Sequence, residues 1–389
     1  MEGDRHCFEY RLDSPSLLYF AVLSGRYAVR RERWRDVVLE IYHHDSHRYN
    51  LDRMMDAAKA ALEYNSRAFG PYPYPVLRIV EFPRYGQSAV ALAGTIPFSE
   101  SIGFVARVRE GDADIPWYVV AHEVAHQWWP HQMVGANAEG ANVLSETLAQ
   151  YCALMVMEKL RGREQVADLL RYELDGYLSN RLQDGIDERP LVRERRQPYL
   201  HYHKGALAMY ALRGAIGESA VNAALRRLMD RYRLRGPPYA TTLDLMRELR
   251  AVTPREQRGL LEDLFERITL YDNRILEASA APAGEGRYRV QLRLQTRKFY
   301  ADGAGRETET EFDDPIDLEL VEASGRILYS GRHRVRGSEA ELRLEVDGEP
   351  ALARIDPLAL LMDRDQSDNS AAVRISRLRP PPAESGASR

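Results

Sequence analysis

The sequence is poor in cysteine and has no long apolar runs. Its 389 residues contain two cysteines, Cys7 and Cys152, which lie far apart in the chain. This usage predicts neither a disulfide framework nor a cysteine-based metal site. No apolar run approaches the ~20 residues of a membrane span. The acidic start, Met-Glu-Gly-Asp, lacks the basic and apolar segments of a signal peptide. We therefore expect the chain as it stands to be soluble; no compartment is indicated.

Lysine is scarce, and an excess of positive charge is missing. The net charge is -4, and four lysines stand among many arginines. A chain of this kind is not expected to bind nucleic acid. Charged residues at 29% and hydrophobic residues at 44% are typical of a globular protein, and the length predicts two or three domains.

One short motif carries chemistry: His122-Glu123-Val124-Ala125-His126. Residues four apart share one face of a helix, so His122 and His126 can present two imidazole nitrogens to one metal ion. Glu123 is offset by about 100° around the helix, which lets it reach a metal-bound water. Neutral nitrogen ligands beside a carboxylate base predict a hydrolytic zinc site. The motif alone lacks a third protein ligand.

Glu146 is the candidate for that ligand. It follows His126 after nineteen intervening residues and falls in a helix predicted over residues 141–160. That helix is apolar nearly throughout, and a lone acid in such a setting needs a partner. The other interpretation is an ordinary surface carboxylate. A second histidine group at residues 43–47 is interpreted as a solvated turn, because no carboxylate or cysteine joins it at ligand spacing.

The pattern of apolar residues predicts an α+β fold. Strands are expected at residues 8–12 and 37–42, and a helix over residues 50–69 ends at Gly70. The motif helix should run from Asp114 to about Trp129. Strict alternation at residues 288–294, 316–320 and 342–346 predicts a β-sandwich. We predict the end of an N-terminal β domain over 1–46, a mostly helical metal-binding domain over 47–272, the sandwich over 273–377 and a disordered tail over 378–389.

Three ordered motifs resemble one known family. They are His122-Glu-x-x-His126-Gln-Trp-Trp, Ser145-Glu146-Thr-Leu-Ala, and Tyr202-His-Lys-Gly-Ala. Together they resemble the gluzincin zinc aminopeptidases of the membrane alanyl aminopeptidase and leukotriene hydrolase type. The variant signature is similar to peptidase-like domains that bacteria fuse to transporter permeases.

The resemblance implies a thermolysin-like catalytic domain with one zinc ion. His122, His126 and Glu146 would be the metal ligands, Glu123 the general base, and Tyr202 the hydroxyl that stabilises the oxyanion. Tyr199 and Tyr210 lie near Tyr202 in the sequence, but only Tyr202 has the Lys-Gly-Ala continuation.

The chain departs from the family at two points. It has one more residue between His126 and Glu146, which we place in the loop of residues 135–140, where insertions are tolerated. Residues 88–92, Ser-Ala-Val-Ala-Leu, lack the glutamate with which family members hold the substrate's free amine. No substrate-binding residue is assigned.

We predict a zinc-dependent metallopeptidase that is aminopeptidase-like, with its exopeptidase specificity left open. The alternative is a weak or inactive zinc-containing module that binds peptides for a membrane transport partner. A permease, fused or associated through a missing N-terminal region, is the expected partner of that alternative.

Overall fold

The computed structural model describes residue 9 and residues 11–109, 112–183 and 185–376. The first of two compact units comprises the described residues up to Gln183 and those from Arg189 to Glu266. The second comprises residues 185–188 and the described residues from Arg267 onward. The predicted tail, Cys7 and part of the predicted strand at residues 8–12 lie outside the described residues. Arg11 and Leu12 are described and lie outside any strand. The domain boundaries given above remain predictions.

A four-stranded sheet lies in the first unit. Its strands are β1 (Ala28–Trp34), β2 (Val37–His43), β3 (Val76–Phe82) and β4 (Thr95–Ser99), adjacent in that order. β1 runs antiparallel to β2, whereas β2, β3 and β4 are parallel. The carboxyl ends of these three parallel strands therefore share one edge of the sheet. β1 lies between the two strands expected at residues 8–12 and 37–42.

The rest of the first unit is helical. The helices are α1 (Leu51–Phe69), α2 (Ile115–Ala125), α3 (Glu146–Arg161), α4 (Arg163–Arg181), α5 (Gly205–Ile216), α6 (Glu218–Tyr232), α7 (Thr242–Val252) and α8 (Arg258–Phe265). Three 3₁₀ turns span Ala141–Leu144, Leu191–Arg193 and Arg255–Gln257, and a π-helix spans Tyr199–Lys204. α2 packs against α1 and α3, and α3 also packs against α5. Within the described chain, no helix is both long enough and apolar enough to cross a membrane.

Two helix boundaries differ from the prediction. α2 ends at Ala125 instead of near Trp129, because from Gln127 onward the chain tightens into turns in which Gln127 and Trp128 donate to carbonyls three residues earlier. His126 caps the helix but keeps helical dihedral angles, φ −59° and ψ −19°. The helix predicted over 141–160 is interrupted at Ser145, where φ is −107° and ψ is −65°. Glu146 is consequently the first residue of α3.

The second unit contains β5 (Ile268–Tyr271), β6 (Arg274–Gly284), β7 (Arg287–Gln295), β8 (Lys298–Ala301), β9 (Glu307–Thr310), β10 (Asp313–Val321), β11 (Ile327–Arg336), β12 (Glu339–Asp347), β13 (Leu352–Ile355), β14 (Ser370–Ala372) and β15 (Arg374–Ile375). A short 3₁₀ turn spans Gln366–Asp368. Two four-stranded sheets have the orders β12-β7-β6-β15 and β11-β10-β13-β14, and β5, β8 and β9 form a third.

Alternate residues of β7 and β10 fill the core between the two larger sheets. Val290, Leu292 and Leu294 come from one sheet, and Ile316, Leu318 and Leu320 from the other. This is the period of two that the sequence shows. The predicted α+β class with a β-sandwich is confirmed.

Candidate active site

α2 brings the three motif side chains to one place. Asp114 caps its start by accepting the Trp117 N–H at 3.2 Å. His122, Glu123 and His126 are all buried, and one ligand-type atom of each lies within 4.8 Å of the other two. The Nε2 atoms of the two histidines are 3.0 Å apart. The spacing of four residues therefore produces the convergence that it predicted.

The loop between α2 and α3 returns Glu146 to the histidines. Gly140 adopts a left-handed conformation with φ of 74°, and a Cβ there would lie 2.4 Å from the carbonyl oxygen of Val192. Only glycine fits such a position. The chain then passes through the 3₁₀ turn and reaches Glu146, whose Oε2 lies 3.4 Å from His122 Nε2 and 3.2 Å from His126 Nε2.

The donor set fits one zinc ion. A tetrahedral zinc with bonds of about 2.0–2.1 Å holds its ligand atoms about 3.3 Å apart, and the three separations here are 3.0, 3.4 and 3.2 Å. Nδ1 of His126 donates to the Trp129 carbonyl at 2.5 Å, which leaves its Nε2 lone pair for a metal. Glu146 Oε2 forms no hydrogen bond of good geometry with any residue in the described part of the chain.

The two glutamates of the site experience opposite electrostatic environments. Burial raises the pKa of the Glu123 carboxyl above its usual range. Burial acts on Glu146 in the same direction, but His126 and His122 outweigh it and hold its pKa well below the usual range. Burial would lower the pKa of His126, yet Glu146 raises it to about 9. Glu146 is thus a carboxylate whose ionised form is stabilised by neighbouring positive charge, whereas Glu123 binds a proton more readily than a carboxyl group in water.

Tyr202 lies beside the metal-ligand candidates. Its ring centroid is 6.0 Å from that of His122, and its hydroxyl is close enough to Glu146 to interact with that carboxylate. Burial and the Glu146 carboxylate raise the pKa of Tyr202, so the phenol remains a neutral donor. Thr147, next to Glu146, donates to the carbonyl of His201 at 2.6 Å and ties this turn to α3.

The other two tyrosines point to different surroundings. The Tyr199 hydroxyl accepts a hydrogen bond from Gln197 at 3.0 Å, and its ring stacks on Tyr177. Tyr210 lies near Glu158 and Arg213. Of the three candidates, Tyr202 is therefore the one that lies beside His122 and Glu146.

Residues 88–92 form a strip along the edge of β4. Val90 donates to the Pro97 carbonyl at 3.0 Å and Leu92 to the Thr95 carbonyl at 2.8 Å. The Ala91 backbone lies close enough to Glu123 to lower the pKa of its carboxyl, and the Ala91 carbonyl accepts from His131 Nε2 at 2.9 Å. The strip carries no carboxylate. Its backbone contacts to the site have no residue-type signal, so sequence reasoning could not find them.

His47 also lies near two carboxylates, Glu81 and Glu100. Its Nδ1 is 2.5 Å from Glu81 Oε1 and 3.9 Å from Glu100 Oε2. Glu81 also accepts the His44 N–H at 2.6 Å, and Arg84 donates to Glu100 at 2.9 Å. Each carboxylate thus has donors from the protein itself, so we interpret the group as a hydrogen-bonded ion-pair network. The expectation that no carboxylate joins this turn was wrong, because Glu81 and Glu100 arrive from β3 and the end of β4.

Comparison with known proteins identifies a family. Residues 53–262 match the model of the peptidase family M1 domain. Tricorn protease-interacting factor F2 of Thermoplasma volcanium is 24% identical over 332 residues, which cover 81% of this chain and 38% of the relative. The factor F2 of Thermoplasma acidophilum is 27% identical over 184 residues, which cover 45% of this chain and 23% of the relative.

A solved structure has a similar fold. The crystal structure of Legionella pneumophila aminopeptidase A in complex with aspartic acid aligns with a TM-score of 0.55 at 17% identity. The alignment covers 91% of this chain and 38% of that chain. This chain therefore spans less than half the length of the proteins that it resembles.

Proposed function

This chain belongs to peptidase family M1, and on that premise we propose that it hydrolyses peptide bonds with one zinc ion held by His122, His126 and Glu146. The observation that carries the proposal is the convergence of Glu146 on the two histidine nitrogens at 3.2–3.4 Å. A zinc ion bound there supplies Lewis acidity, which acidifies water and polarises a carbonyl.

Glu123 is the general base of the proposed reaction. Its carboxylate lies beside the ligand candidates and close to the Ala91 backbone. It accepts a proton from the water that attacks the peptide carbonyl and then donates that proton to the leaving amine nitrogen. Its raised pKa suits both steps, because a carboxyl that titrates nearer to neutrality can both accept and release a proton.

Tyr202 stabilises the negative charge that develops on the carbonyl oxygen. Its hydroxyl is neutral and buried beside Glu146. A hydrogen bond donated in a buried site is worth more than the same bond in water. Because the charge appears only as water adds to the carbonyl, this contact lowers the barrier more than it strengthens substrate binding.

Selectivity for a free amino terminus is expected to be weak. The strip of residues 88–92 supplies backbone groups beside Glu123 but no acid to pair with an ammonium group. We therefore propose that internal peptide bonds are accepted. The predicted permease partner remains a prediction, because the similar proteins named above are a protease-interacting factor and an aminopeptidase.

The test combines metal content with two kinds of substrate. We expect one equivalent of zinc, cleavage of internally quenched peptides, and slower cleavage of amino-acid anilides. Glu123→Gln should keep the zinc and lose the turnover, whereas Glu164→Gln, at an exposed position of α4, should change neither. Zinc at one equivalent without turnover of either substrate would reject the enzyme and favour the peptide-binding module.

A further inference from the structure

A buried glutamate outside the motifs connects the parts of the site. Glu173 lies in α4 and is 1% exposed. The other buried residues of α4 are Val166, Ala167, Leu169, Leu170, Leu174 and Tyr177, so Glu173 is the one charged side chain on this buried face of the helix. A carboxylate at such depth is costly unless several hydrogen bonds compensate for the lost water.

Three donors from three other elements meet at the Glu173 carboxylate. Nδ1 of His203 lies 2.6 Å from Oε2. Oε1 accepts from Gln150 Nε2 at 3.0 Å and from the Tyr118 hydroxyl at 3.3 Å. The Tyr118 hydroxyl shares its single proton between Glu173 and the Gln150 side-chain oxygen, which lies 2.9 Å away, so Tyr118 and Gln150 are also linked to each other. The result is a buried polar network with Glu173 at its centre.

Each donor stands next to a proposed functional residue. Tyr118 lies one helical turn before His122 on α2, and Gln150 lies one turn after Glu146 on α3. His203 is the neighbour of Tyr202 in the π-helical turn. A helical turn is stiff, so fixing one residue constrains the residue four positions away. Through these hydrogen bonds, the Glu173 carboxylate connects α2 and α3, which carry the ligand candidates, to the turn that carries Tyr202.

We propose that Glu173 is a positioning residue that holds Tyr202 in register with the metal ligands on α2 and α3. It acts through His203 and does not touch the reacting atoms. This role rests on the proposed function, because the proposed hydrolytic reaction is what gives Tyr202 a catalytic task. The network of Glu173 depends on tertiary contacts, because its four residues come from four separate elements.

Gly176 offers a test that leaves the network's chemistry intact. A Cβ at this position in α4 would lie 2.6–2.8 Å from Cε1, Nδ1 and Nε2 of His203. Gly176→Ala should therefore push the imidazole away from Glu173. Alanine also favours the helix more than glycine does, so a folding defect is not the expected effect. The matched control is Gly259→Ala in α8, where nothing lies within 4 Å of the added Cβ.

A second pair of variants changes the donor itself. His203→Leu removes the hydrogen bond to Glu173. His203→Gln keeps an N–H that can reach the carboxylate. We expect Gly176→Ala and His203→Leu to lower kcat by on the order of 10- to 100-fold with little change in KM, because displacing a catalytic group by about 1 Å can cost this much. Zinc content should stay at one equivalent. His203→Gln should recover most of the rate, and Gly259→Ala should equal the wild type.

Hydrogen exchange supplies a readout that does not depend on catalysis. Peptides covering residues 199–204 should exchange faster in Gly176→Ala and His203→Leu than in the wild type and in Gly259→Ala. Wild-type kcat in both variants, or unchanged exchange in this turn, would overturn the positioning role. If the wild-type protein cleaves no peptide, the proposed function fails, and the exchange comparison still decides whether Glu173 holds the turn.

Discussion

Removing the Tyr202 hydroxyl isolates one contribution to the proposed reaction. In Tyr202→Phe the ring can keep its place beside His122, at 6.0 Å between centroids, while the donor disappears. The loss of one donor to a developing oxyanion costs about 2.7–4 kcal/mol, or about 10²- to 10³-fold in kcat. Since the hydroxyl is not a metal-ligand candidate, zinc content should not change. KM should also change little, because the contact strengthens only in the transition state.

The comparison variant is Tyr199→Phe, three residues earlier in the same π-helical turn. Its hydroxyl accepts from Gln197 in a buried setting, so its loss should cost about 1–3 kcal/mol of the free energy of unfolding. Activity should be preserved in the folded protein. The assay is steady-state cleavage of a quenched peptide together with urea unfolding of both variants. A Tyr202→Phe enzyme within threefold of the wild-type kcat would refute the oxyanion role.

Three further predictions concern stability and metal content. Thr147→Val leaves the buried His201 carbonyl without its donor and should lower the free energy of unfolding in urea by about 1–3 kcal/mol. Thr147→Ser keeps a hydroxyl and should retain most of the wild-type stability, and equal stability of the two variants would contradict the role of this hydrogen bond. Chelation of zinc should lower the melting temperature, and adding zinc at about a thousandfold above Kd should restore about 4 kcal/mol of the free energy of unfolding. His47→Ala should still bind one equivalent of zinc, and a loss of metal in this variant would contradict the ion-pair interpretation. Burial raises the pKa of Asp356 to about 6 from 3.8, so the folded state favours its protonated form, and its contribution to stability is lost as pH rises from about 4 to above 6. Relative to Asp356→Asn, the wild type should therefore lose up to about 3 kcal/mol over this range in urea unfolding; a difference that is constant or that grows in favour of the wild type would refute the assignment.

Local patterns predicted the elements well where one period governs a whole segment. The helix over residues 50–69 and the strand over 37–42 have the predicted bounds to within a residue. Alternation at 288–294 predicted the buried face of β7. The predictions failed at boundaries, because the turn before Pro130 and the break at Ser145 depend on how the chain packs onto neighbouring elements.

The sequence by itself determined the pairing of His122 with His126, since both lie on one helix whose geometry follows from covalent structure and hydrogen bonding. It also presented Glu146 and Tyr202 as candidates through motif resemblance. Only the tertiary structure decided that the Glu146 carboxylate reaches both histidines, that Tyr202 lies beside them while Tyr199 does not, and that Glu173 connects their supports. The physical reason is separation along the chain: periodicity reports which face a residue occupies on its own element, whereas the distance between two elements depends on the packing of every side chain between them.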